Sequence, residues 1–239
     1  MAMTPGPELQ AAIDAAYDVF AAYRRPGRLE AAPTRDPDRI LADLTSAPLR
    51  ELNSERISYY AGKAMTTVGD DRDYRHFLPR LLELAAQKDC GDMGTDPEEL
   101  ARKTVHGDFK KWPRDERAAV IGVFTAAARQ AIGEALDQAT PEPWLIGLGE
   151  LGESVSPLLQ AWLAATSVDA GLHLVEAVRS EAFRSDRDAP TQSHPEALAV
   201  RLWLRGPAVR ERLEALLFEV PEDETWRVEA ALIESAMTD

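Results

Sequence analysis

The sequence predicts an all-α protein, and three observations carry that expectation. Apolar residues recur at helical spacing in nearly every segment: Ile57, Tyr60, Ala61, Ala64, Met65 and Val68, then Tyr74, Phe77, Leu78, Leu81, Leu82 and Ala85. Alternating β-branched runs flanking a hairpin dipeptide do not occur. Proline, glycine and acidic capping residues punctuate the periodic segments at intervals suited to helices of roughly 9–20 residues.

Taken in order, the first helix is expected over Glu8–Arg24, with Leu9, Ile13, Ala16, Tyr17, Phe20 and Tyr23 inward and Pro26-Gly27 as its stop. A Pro-, Thr- and Asp-rich loop leads to a short helix near Pro37–Ser46. Asn53 or Ser54 caps the next helix, whose apolar stripe runs to Val68, and Gly69 stands where a left-handed terminating residue belongs. Pro79 in a helix interior would cost roughly 3 kcal/mol or more. A short turn at Asp71–Phe77 followed by a new helix beginning with Pro79 is therefore expected. Each of the two stripes around Gly69 covers one helical face, so the helices should pack as a hairpin, with Phe77, Leu81 and Leu82 against Tyr60, Ala64 and Met65.

Lys88–Asp96 reads as a loop, and Asp96-Pro97-Glu98-Glu99 as a capped helix start. Trp112-Pro113 opens the longest helix, to about Gln138, along Val120, Val123, Phe124, Ala127, Ala131, Ile132 and Leu136. Helices over Trp144–Leu151, Pro157–Ala165 and Val168–Phe183 are expected to follow, with residues 184–194 as the candidate polar, mobile loop. Ser193 with Glu196 repeats the capping signature before a helix through Leu198, Leu202 and Trp203. Val209–Glu219 and Glu224–Ala236 complete the series.

Helix-pair starts recur at irregular spacings of roughly 25–45 residues, the pattern of an irregular HEAT/armadillo-like α-solenoid of about ten or eleven helices. A closed helical bundle is the alternative, and in either case residues 1–239 are read as one domain. The block from Tyr60 to Leu84, followed by Trp112-Pro113 and an Ala-rich helix, resembles an uncharacterised bacterial family of all-helical, HEAT-like proteins, mainly over Leu52–Leu136. That resemblance implies a HEAT-like fold and carries no catalytic residue or cofactor with it.

Net charge is −14, with residues 1–120 carrying 18 Lys and Arg against 21 Asp and Glu, and residues 121–239 carrying 9 against 20. No Lys or Arg lies between Arg129 and Arg179. Phosphate backbones are held chiefly by Lys and Arg, so nucleic acid is not the expected partner; the acidity either keeps the protein soluble or faces a basic protein partner. No run of about 18 apolar residues suggests a membrane span. The amino terminus has no basic region followed by an apolar stretch, and Cys90 stands alone, so a cytoplasmic protein without disulfides is expected. Arg outnumbers Lys 22 to 5 and Ala is abundant, a composition that suits a bacterium with a GC-rich genome.

No HExxH, CxxC, GxSxG, phosphate loop or dinucleotide fingerprint occurs. Gly147, Gly149 and Gly152 lie in an apolar helical segment and read as small residues that permit close helix approach. Cys90, Asp92, His106 and Asp108 match no zinc or calcium spacing, so no metal is expected. Asp70, Asp71, Asp73, Arg75 and His76 form the densest polar cluster beside an apolar stripe, either a partner-binding edge or helix-start acids facing a helix dipole. Arg102–Arg117 is the one basic, aromatic-containing stretch, diluted by Asp108, Asp115 and Glu116. Trp112 is expected to staple a helix start, and Trp144, Trp162, Trp203 and Trp226 to pack in the core.

The leading expectation is a non-enzymatic helical-repeat scaffold or adaptor that binds a protein partner and needs no cofactor, with Asp70, Asp71, Asp73, Arg75, His76, Glu150 and Glu153 as candidate partner-binding residues. Two alternatives stay open: a HEAT-like nucleic-acid-binding or base-excision protein, and an enzyme whose site assembles from distant helices. A far-ultraviolet circular dichroism spectrum should show helical minima; more than minor strand content would refute the fold class.

Overall fold

The computed structural model describes residues 4–88, 94–183 and 194–236. The described residues form twelve α-helices and no β-strand: α1 (Pro7–Phe20), α2 (Pro37–Leu44), α3 (Ser54–Lys63), α4 (Asp71–Ala86), α5 (Pro97–His106), α6 (Arg114–Gly133), α7 (Glu142–Glu150), α8 (Ser156–Ala164), α9 (Val168–Phe183), α10 (Pro195–Leu204), α11 (Pro207–Leu216) and α12 (Thr225–Ala236). None of them is long and apolar enough to cross a membrane. The expected loop at Lys88–Asp96, the mobile loop 184–194 and the Ser193 cap fall wholly or mostly outside the described residues. Contacts gather into two compact units, 1–127 and 128–239, within the chain read above as one domain.

In the first unit α4 is the central element, packed on α1, α3, α5 and a 3-10 turn at Leu49–Glu51. Eleven of its 16 residues are buried, and a helix apolar on every side must lie inside. It is a single helix through Pro79, where a break was expected. Breaking it there would expose two further sets of unpaired backbone groups. It would also separate Tyr74 and Phe77 from Leu81 and Leu82, all fully buried on one continuous element. A capping box fixes the start: Asp70 Oδ1 accepts from the N–H groups of Arg72 and Asp73 at 2.9 Å each, and Asp73 Oδ2 accepts from that of Asp70 at 3.2 Å.

The preceding helix differs in the opposite sense, ending at Lys63 rather than near Val68. Met65 takes a left-handed conformation, φ 58°, and the Lys63 carbonyl accepts the N–H groups of Thr66, Thr67 and Val68. The chain then pairs with an earlier loop: Ala32 N–H donates to Thr67 O at 2.9 Å, and Gly69 N–H to Glu30 O at 2.7 Å. Ala64 and Val68 stay buried in this turn, so the apolar spacing reported burial and overran the helix. Gly69, at φ 65°, has the left-handed backbone expected of it. Tyr60 meets Phe77 edge to face across the turn, ring centroids 5.0 Å apart, as the hairpin requires.

Charges also enter this core. Arg80 Nε donates to Leu52 O at 2.7 Å, and Arg80 Nη1 and the Tyr17 hydroxyl both donate to Glu83 Oε2 at 2.6 Å. Burial, with the Glu83 carboxylate beside it, pushes the Tyr17 phenol far above its ordinary value, so it stays a donor.

In the second unit the longest pairings are α7 with α10 and α9 with α12; α9 also meets α10 and α11. Gly149 lets α7 and α10 touch, since a β-carbon there would stand 2.4 Å from Ala197 N, the close approach expected of the glycine-rich segment. Trp162 is fully buried, with its indole N–H donating to Ala170 O at 3.0 Å. Leu81→Ala should lower stability by about 2–5 kcal/mol. An unchanged midpoint in thermal denaturation would show that Leu81 does not lie in the packed centre.

Candidate functional site

The cluster Asp70–His76 is committed to the fold. Asp70 and Asp73 form the capping box, and Asp71 Oδ2 pairs with Arg75 Nη2 at 2.6 Å. Arg75 Nη1 donates to the Tyr23 hydroxyl at 2.7 Å and to Glu116 Oε2 at 3.1 Å, and its guanidinium lies 4.2 Å from the Trp112 ring centroid. His76 Nδ1 donates to Tyr23 O at 2.8 Å, which places the proton on that nitrogen. The Nε2 atom is buried with no hydrogen-bond partner among the described residues.

Glu150 is 8% exposed and accepts from His194 N–H at 3.1 Å through Oε2, at the start of α10. It is therefore a structural acid, and only half-buried Glu153 of that pair reaches solvent appreciably. The basic stretch is equally engaged: Arg102 pairs with Glu98 and Glu99, Lys103 with Glu99, and Lys111 with Asp108. Cys90 and Asp92 lie outside the described residues. Among the described residues no group of three or more His, Cys, Asp or Glu could hold a metal ion.

The candidate site lies elsewhere, in a groove of about 750 Å³ in the second unit. The segment after α6 contributes Leu136 and Asp137, α9 contributes Asp169, Leu172, Glu176 and Arg179, and the start of α12 contributes Glu224, Trp226 and Arg227. Trp226 is 56% exposed, whereas Trp112, Trp144 and Trp162 are buried, so the expectation that it packs in the core is corrected. Position explains the difference: α12 turns Val228 and Ala231 into the core, and Trp226 and Ile233, seven residues apart, share another face.

Electrostatics in the groove are mostly pre-paired. The Arg179 guanidinium lies 5.9 Å and that of Arg227 5.6 Å from the Trp226 ring centroid. Arg179 pairs with Glu234 at 3.4 Å and Glu176 at 3.7 Å, and Arg227 with Glu224 at 3.0 Å. Four carboxylates, Asp137, Asp169, Glu176 and Glu224, face two arginines, so the lining is net acidic around an indole face. Such a surface binds by shape, cation–π attraction and charge. The sequence marked Trp226 only as a tryptophan in a helical stripe; its adjacency to the acidic start of α9 is a tertiary fact.

No family model, curated protein or solved structure matches this chain.

His76 provides a pH test of the packed cluster. Burial, reinforced by nearby Arg25 and opposed by the Tyr23 carbonyl bond, holds its pKa below the ordinary imidazole value. Above about pH 6.5 both folded and unfolded chains carry a neutral ring and this residue adds no pH dependence. Below it the unfolded chain takes up a proton that the folded one resists, so stability should fall with falling pH until the folded pKa is passed. Chemical denaturation across pH 5–8 of wild type and His76→Gln checks this; parallel profiles would remove His76 as a contributor.

Proposed function

We propose that this chain is a non-enzymatic helical scaffold that docks a basic, amphipathic segment of another protein in the groove around Trp226. The single observation behind the reading is a half-exposed indole set among four carboxylates in an open groove of about 750 Å³. Exposed aromatics that become desolvated on binding dominate interface energetics, often contributing about 2 kcal/mol or more each. The acidic balance of residues 128–239, 9 Lys and Arg against 20 Asp and Glu, favours a basic partner and speeds its encounter.

The proposal keeps the cytoplasmic setting and the resemblance to an uncharacterised bacterial family of all-helical proteins expected from the sequence, without that family's HEAT-like repeat arrangement. Of the two expected arrangements, the pairings within each unit favour a bundle. Extensive contacts join helices three apart in the chain, α1 with α4, α7 with α10 and α9 with α12. A solenoid of hairpins places nearest and next-nearest helices together instead.

The test uses two labelled helical peptides, one alternating Leu faces with Lys and one with Glu. The Lys peptide should bind, weaken with added salt, and lose at least about tenfold in affinity against Trp226→Ala, as the loss of a central aromatic anchor implies. Asp169→Lys should slow its association more than it speeds release. Equal binding of both peptides, or an unaffected Trp226→Ala variant, would overturn the reading.

A further inference from the structure

A second pocket, of about 430 Å³, lies in the first unit between the loop before α2 and the outer face of α3. It is less than two-thirds the volume of the Trp226 groove, and its chemistry is different. Arg35 and Arg39 line it, together with Tyr59, Glu55, Asp36 and Asp43. The loop that carries Arg35 is held by the pairing of Ala31 with Val68 and by Arg35 N–H donating to Ala32 O at 2.8 Å. Its guanidinium is oriented as well, because Nη1 donates to the Tyr59 hydroxyl at 3.1 Å.

Among the described residues the rest of that guanidinium has no hydrogen-bond acceptor. Arg35 Nε is a buried donor with no hydrogen-bond partner among the described residues, and Arg39 has no ion-pair partner among them. This is unusual beside three carboxylates, and two of them are engaged elsewhere. Asp36 Oδ1 accepts the Arg39 backbone N–H at 3.1 Å as the cap of α2, and Asp43 pairs with Arg56 at 2.5 Å. Glu55 is exposed on the pocket wall.

We propose that this pocket binds a small molecule bearing one carboxylate or one phosphate, which accepts from Arg35 Nη2 and from Arg39. The two guanidinium groups offer separate N–H donors to the oxygens of either group, and Arg39 adds a second positive charge at the mouth. Tyr59, 48% exposed, offers a ring face for the body of the ligand. The three acids set the limit on charge: a single anionic group is accommodated, and a polyanion is repelled. The volume lies within the range of small-molecule sites.

Thermal melts and isothermal titration calorimetry on the full chain test this with inorganic phosphate, acetate and benzoate, against sodium chloride at matched ionic strength. At least one probe should raise the wild-type midpoint above the chloride control, and Arg35→Gln and Arg39→Gln should each remove at least half of that shift. Phosphate alone or the carboxylates alone identifies the ligand class; benzoate above acetate places a ring on Tyr59. Arg39 is exposed, so Arg39→Gln remains informative even where Arg35 variants fold poorly. No shift beyond chloride, or equal shifts in wild type and Arg39→Gln, overturns the proposal.

Discussion

The guanidinium of Arg75 reaches Asp71 one turn back on α4, the Tyr23 phenol just after α1 and the Glu116 carboxylate at the start of α6, while lying over the Trp112 ring. Side chains of Arg75 and Glu116 are only 13% and 9% exposed, so their charges are largely withdrawn from water. Removing one member of such a pair strands the other, a change that typically costs about 3–5 kcal/mol. A lysine could not replace Arg75, because the planar fork serves four oxygens on three residues and stacks at once. Eight residues further along the same helix, Glu83 binds Tyr17 and Arg80. At 1.5 Å per residue these two anchors are about 12 Å apart, which sets both the rotation and the axial position of α4 against α1.

Polar anchoring of this kind gives structural roles to several of the residues singled out for charge. Asp70, Asp73 and Arg75 satisfy helix starts and a buried ion pair, and Glu150 terminates in the N–H of His194. Glu142, at 7% exposure, is likewise inside. The second unit's acidity is therefore smaller at its surface than its composition suggests, and what remains is locally concentrated. Asp137, Asp169, Glu176 and Glu224 come from three separate stretches and meet beside Trp226.

The two candidate binding surfaces differ in how they handle arginine. Around Trp226 each guanidinium already has a carboxylate, leaving the indole and the surplus acids as the recognition elements. In the pocket beside Tyr59 the aspartates are occupied by a helix cap and by Arg56, which leaves Arg35 and Arg39 for an incoming oxygen anion. Local composition is similar in both places, and the pairing pattern alone separates them.

Helical periodicity and local capping residues by themselves determined the fold class, the order of the elements, the Asn53 and Asp96 starts and the burial of Leu81, because these depend on side chains a few residues apart. The continuity of α4 through Pro79 and the early end of α3 at Lys63 were decided by tertiary packing. In the first case a continuous buried face outweighed a lost backbone bond, and in the second the pairing of Val68 with Ala31 drew the chain out of the helix. The Trp226 groove and the Arg35 pocket were decided there too. A site made from residues dozens of positions apart has no period to detect, and whether an arginine is satisfied depends on which acids the fold has already placed beside it.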